Sequence, residues 1–154
     1  GRTGSVRSRL QPATIVGAHM NDTIKLVGVG YLILVASLVA EFLGSAAIGA
    51  TGLVPPNAAG STWFWAVTVM MLIAAPLVLG ASYLASVRLM KPRTAAEGLP
   101  VGLVWAGIVG LTHLLIGLGN GTLDMFLSPG TYVMLAAVVL GPWLAGRVKE
   151  RQAV

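Results

Sequence analysis

The chain has 154 residues, 56% of them hydrophobic and only 10% charged, with a net charge of +5. Soluble domains carry about a quarter charged residues, and ten Lys and Arg plus five Asp and Glu cannot clothe a soluble fold of this size. The composition therefore excludes a water-soluble globule and implies that lipid surrounds most of the molecule, while the lack of cysteine excludes disulfides and thiolate metal sites.

Residues 1–19 are polar, contain Arg2, Arg7 and Arg9 without an acid, and show no hydrophobic period. They end in His19-Met20, the dipeptide that an NdeI cloning site encodes. Met20 reads as the native start and residues 1–19 as a disordered, vector-derived leader. Without it the charge is +5 minus 3, or +2, so a nucleic-acid partner is not expected, and His113 is the only remaining histidine of two. Residues 20–154 form a single domain on this reading.

A spanning helix needs about 20 mostly apolar residues to cross roughly 30 Å of hydrocarbon. Four stretches qualify: Ile24 to Ile48, Thr62 to Leu89, Leu99 to Leu118, and Pro129 to Ala145. The first is expected to be capped by Asp22, the second by Ser61 or Thr62, and the fourth by Ser128 with Pro129 at the first helical position; Pro100 plays that part for the third. The intervening segments, Val54 to Gly60, Pro92 to Gly98 and Asn120-Gly121 to Ser128, read as turns. The expectation is an all-α, polytopic, four-helix up-down bundle.

Cations near span ends are retained in the cytoplasm. Lys25 precedes the first span; Arg88, Lys91 and Arg93 separate the second and third; Arg147, Lys149 and Arg151 follow the fourth; the other two connections have none. Both termini are thus expected inside, in a cell membrane, with the prokaryotic cytoplasmic membrane favoured. Trp63, Trp65 and Tyr132 at the outer ends and Trp143 at the inner end suit an interfacial belt, and Trp105, deeper in the third span, is read with them as belt or lipid-facing. The two halves share an outline, each a hairpin starting its second helix with Thr62-Trp63 or Thr131-Tyr132. That outline suggests parallel repeats about an axis along the membrane normal, or only what any four-span chain of this orientation shows.

Small residues at four-residue spacing let helix backbones approach. They are Ala36, Ala40 and Gly44 in the first span, Gly102, Ala106 and Gly110 in the third, and Ala137, Gly141 and Ala145 in the fourth. These faces serve contacts within the chain, in a homo-oligomer or in a larger membrane complex. Pro76 frees the carbonyl of Leu72 and is expected to kink the second span.

Ionisable side chains within a membrane cost about 2.5 kcal/mol or more to insert and point to function. Glu41 lies about 24 Å along its helix from Lys25, and His113 about 20 Å into the third span, so the two share a depth in the outer half. Ser37, Glu41 and Ser45 repeat at four-residue spacing, and Asn120, Thr122 and Asp124 continue the polar character outward. The expectation is an outward-facing polar pocket with Glu41 and His113 hydrogen-bonded, and with Trp63 and Trp65 near its mouth. Glu41, His113 and Asp124 are candidates for proton transfer, cation binding or catalysis.

These donors are too few for a metal in one chain, so no metal and no cofactor is expected. Phosphate-cradling loops, zinc-protease and serine-hydrolase motifs are absent. Three function classes remain: binding or transport of a small solute or lipid-like molecule, an enzyme using a carboxylate acid or base on an isoprenoid or ring substrate, and an accessory subunit. Membrane lipids are partners in all three.

Overall fold

The computed structural model describes residues 12–54 and 60–153, with the side chains of residues 12–20 and 61 outside that description. Four helices dominate: α1 (Pro12–Ala50), α2 (Gly60–Ala85), α3 (Ala95–Asn120) and α4 (Pro129–Gln152). A π-helical turn, Ser86–Met90, extends α2, and a 3-10 turn, Leu123–Leu127, precedes α4. All four helices are long and apolar enough to cross a bilayer, with the apolar stretches at Asn21–Ala50, Thr62–Met90, Ala95–Asn120 and Pro129–Gln152. The chain is a multi-pass, all-α membrane protein.

Three helix starts differ from the sequence expectation. Helix α1 begins at Pro12, with Asp22 exposed inside it rather than capping it. Proline fits the first helical position, and the next proline is Pro55, so nothing interrupts propagation through residues 12–23. Residues 12–19 of the supposed leader therefore continue the helix, and residues 1–11 lie outside the described residues. Helix α2 begins at Gly60, ahead of Thr62, and the Ser61 side chain and residues 55–59 of the preceding turn also lie outside.

Helix α3 starts at Ala95, so Pro100 lies inside it. Thr94 accepts a hydrogen bond from Glu97 N at 3.2 Å, and Glu97 Oε2 accepts one from Arg93 N at 2.7 Å. The Thr94 bond caps a free amide of the first turn, and Glu97 reaches one residue past the N-cap position that a capping box uses. At the far end, Gly121 adopts φ 67° and donates to Gly117 O, a left-handed cap that glycine reaches without steric cost. Helix α4 begins at Pro129 as expected but runs on to Gln152, where Lys149 and Arg151 complement the negative end of the dipole.

The extensive interfaces are α2–α4, α3–α4, α1–α2 and α1–α3, so the order around the bundle is α1, α2, α4, α3. A two-fold axis along the bundle would set α1 diagonal to α3. They are neighbours, which rules out the parallel-repeat relation suggested by the matching outlines of the two halves.

The core is a single narrow column: Ile33 of α1, Met71 and Val78 of α2, Trp105 and Val109 of α3, and Met134 and Val138 of α4. Only 28–44% of the apolar stretch of each span is buried, and residues such as Phe42 and Leu115 face outward. A lipid exterior suits that distribution, and close backbone approach then carries much of the cohesion. A Cβ on Gly102 would stand 2.6 Å from Val139 O, one on Gly130 2.6 Å from Thr68 O, and one on Gly44 2.9 Å from Met70 O. Gly141 packs in the same way on Ser82.

Buried hydroxyls complete the interior. Thr68 Oγ1 and Ser128 Oγ lie 2.8 Å apart, linking α2 to the start of α4, so Ser128 bonds across the bundle instead of capping its own helix. Ser82 Oγ donates to Ala137 O at 3.3 Å, and Thr131 Oγ1 to Met125 O at 2.6 Å. Among the described residues no buried side-chain polar atom lacks a partner. Helix α2 continues through Pro76, which is exposed, so the missing donor faces outward.

Candidate functional site

The site is built on the parallel pair α1 and α3. Toward the basic end, Trp105 is fully buried and donates Nε1–H to Leu26 O at 3.0 Å. Trp105 is therefore a core residue and not part of the interfacial belt. Gly30 makes room for it, since a Cβ there would stand 3.0 Å from Trp105 Cδ1 and clash with Ile108.

Two helical turns along α3, His113 faces Glu41 across the α1–α3 interface. His113 Nε2 lies 2.8 Å from Glu41 Oε1, and the side chains are 4% and 13% exposed respectively. His113 Nδ1 lies 2.8 Å from Val109 O. A carbonyl oxygen only accepts, so Nδ1 carries a hydrogen and donates it. That fixes the chemistry of the other nitrogen. With Nδ1 protonated, Nε2 and Oε1 must hold one proton between them, as imidazolium with carboxylate or as neutral imidazole with carboxylic acid. Two bare lone pairs at this distance would repel. The geometry thus suits one proton shared between Nε2 and Oε1, in addition to the Nδ1 hydrogen given to Val109 O.

Ser37, one turn before Glu41, is buried and donates to Ile33 O at 2.8 Å, so its hydroxyl is spent on its own helix. Ser45, expected on the same stripe, is exposed. The interior position at that level belongs to Gly44, because the tight α1–α2 contact at Met70 rotates Ser45 outward.

Beyond the pair, His113 is followed by Gly117, which is covered by the connection to α4: a Cβ there would stand 3.4 Å from Leu123 Cδ2 and 3.5 Å from Thr122 O. Thr122 in turn lines a cavity of about 650 Å³ with Gly60, Trp63, Phe64, Gly121, Asp124 and Leu127. Asp124 and Trp63 thus line one vestibule at the loop end of the bundle, and Glu41 and His113 are not among its lining residues. The expected single pocket is not formed by this cavity, which holds Asp124 and Thr122 but neither Glu41 nor His113. Asn120 is exposed outside the vestibule, because the left-handed Gly121 turns the chain away from it. Trp65 is exposed and belongs to a separate apolar groove of about 580 Å³ between α1 and α2, with Ile48, Thr51 and Val69.

Phe64, which sequence reasoning did not single out, sits edge-on to Trp65 at 5.6 Å. Its signal was present in the run Trp63-Phe64-Trp65 at the helix start. Thr68 was missed too, and a lone threonine in an apolar span gives no sign of its partner sixty residues away. Among the described residues, no group of three or more His, Asp or Glu side chains is placed to hold a metal ion. Comparison with protein-family models, with curated proteins and with solved structures finds no match.

Proposed function

We propose that this protein binds and transports a small, largely apolar solute bearing a positive charge or hydrogen-bond donors, in exchange for the proton held between Glu41 and His113. The observation that carries this reading is the 2.8 Å contact of His113 Nε2 with Glu41 Oε1 while Nδ1 is committed to Val109 O. When the shared proton leaves, Glu41 is a carboxylate with an acceptor nitrogen beside it, and a cationic or donating group replaces the proton's attraction. Proton and solute compete for one oxygen, which is the chemical requirement for exchange. Burial supports the same reading, since Coulomb interactions are stronger away from water.

The vestibule supplies a first contact of matching chemistry. Asp124 provides negative charge, and Trp63 and Phe64 provide ring faces that attract a cation. Gly117, one turn beyond His113, packs against Thr122 of the vestibule, and movement of Thr122 away from it would connect the vestibule with the pair. The bundle lies in a prokaryotic cytoplasmic membrane with both ends inside, following the cation distribution, so the vestibule opens outward. Its exposed apolar faces are available to a second copy.

Flux of ethidium, an aromatic cation with amino donors, tests this reading in proteoliposomes under an imposed pH gradient. Movement above protein-free vesicles that collapses in Glu41→Gln and His113→Ala is expected. Flux equal in the native protein and Glu41→Gln, or none above empty vesicles, sinks the proposal.

A further inference from the structure

At the opposite end of the bundle, the geometry points to a binding site for a phosphate group, supplied by an anionic lipid headgroup, between Lys91 and Lys149. A cavity of about 180 Å³ lies where the π turn after α2 meets the last turns of α4, lined by Tyr83, Val87, Lys91, Val148 and Lys149 among others. A water molecule's share of liquid volume is roughly 30 Å³, so the cavity holds a phosphate but not a lipid's chains. Val87 and Val148 are each 41% exposed and form an apolar wall beside the lysines, along which chains can lie.

The charges at this end leave these two lysines without a carboxylate partner among the described residues. Of the described carboxylates at this end, Asp22 belongs to α1, which does not line the cavity, and Glu97 and Glu150 accept from backbone amides around the start of α3: Glu97 Oε2 from Arg93 N at 2.7 Å, and Glu150 Oε2 from Ala95 N at 3.5 Å. Arg147 stacks over Trp143, 5.1 Å from the ring centroid. Among the described residues the sole ion pair is His113 with Glu41, far from this end. Lys91 and Lys149 therefore line one cavity with no carboxylate paired to either among the described residues.

Backbone conformation gives a second, independent sign. Lys91 ends the π turn at φ 53°, ψ 50°, with its N–H donating to Ser86 O at 2.6 Å. It is the one non-glycine residue with positive φ among the described residues. Glycine is the usual occupant of such a helix end because any Cβ is strained there. A lysine held in that conformation carries a backbone cost that glycine would not. Lysine is also a point-charge binder of phosphate.

Thermal unfolding of the purified full chain in a neutral detergent tests the site with three probes: phosphatidylglycerol, phosphatidylcholine and inorganic phosphate. Ligand bound to the native state alone raises the midpoint. Phosphatidylglycerol is expected to raise it by several degrees and phosphatidylcholine not, with the shift lost in Lys91→Gln/Lys149→Gln and kept in Arg88→Gln/Arg151→Gln. Lys91→Gly is expected to match or exceed the native midpoint without lipid yet lose most of the lipid shift, a split that a purely structural lysine does not produce. An equal rise with millimolar phosphate assigns the same site to the free ion. The inference is overturned if the double lysine variant keeps the full shift, or if the arginine variant loses as much, which marks a diffuse field instead of a site.

Discussion

At Glu41 and His113, one hydrogen bond carries both the packing of α1 on α3 and the proposed chemistry, and substitutions separate the two roles. In Glu41→Gln the amide donates to the bare Nε2 while Nδ1 keeps its bond to Val109 O, so the fold is expected to lose no more than about 1 kcal/mol. Glu41→Ala leaves Nε2 without a partner in a buried setting and is expected to cost about 1–3 kcal/mol. His113→Ala strands a partly buried carboxylate and is expected to be worst, at about 3–5 kcal/mol. Unfolding midpoints in one detergent check the order Gln, then Ala at 41, then Ala at 113. Trp105→Phe should lose about 0.5–1.5 kcal/mol with the indole hydrogen bond to Leu26 O, whereas Trp105→Ala should lose about 3–5 kcal/mol with the core contact. The shared depth of Glu41 and His113 was legible by counting helical rise from the nearest cation. The inward direction of Trp105 and the outward one of Ser45 were not, because helix rotation is set by the contacts of Gly30 and Gly44.

Helix pairing in this molecule depends on glycines with opposite surroundings. Gly102 and Gly130 face neighbouring backbone, with an added Cβ standing 2.6 Å from a carbonyl oxygen, while Gly80 and Gly107 have nothing within 4 Å. Gly102→Ala and Gly130→Ala are expected to destabilise by about 1–3 kcal/mol through forced separation of helices. Gly107→Ala should be neutral or stabilising by up to about 1 kcal/mol, the helix propensity gained. Chemical denaturation of the three variants distinguishes a contact glycine from a merely helical one. Pro129 at the start of α4, the Asn120-Gly121 turn and the small-residue faces were readable because each names its own local geometry, whereas the Ser128 hydroxyl, expected as a cap, bonds Thr68 instead. The start of α3 was misplaced although Thr94-Ala95-Ala96-Glu97 is a capping-box sequence, because Pro100 offered a competing start. The start of α1 was misplaced because an unbroken helix has no need of Asp22 as a cap.

At the scale of the molecule, four apolar spans in a chain with few charges left little choice of solvent, so hydropathy alone located the fold. The circular order α1, α2, α4, α3 was not legible, since short connections are equally compatible with placing consecutive helices side by side or diagonally. Both chain ends and the Lys91 turn are expected on one side of the membrane, with Asn120 on the other. The chain has no native cysteine, so single cysteines at 91, 120 and 152 report this directly: an impermeant thiol reagent applied to intact cells should label position 120 and spare the other two.

The central claim is that one proton, held between His113 Nε2 and Glu41 Oε1, is exchanged for solute. Its most direct test is the count of protons released when ethidium binds the purified protein in weakly buffered detergent solution. The account predicts close to one proton per ethidium bound and none from Glu41→Gln. Binding without proton release, or release undiminished in Glu41→Gln, contradicts it.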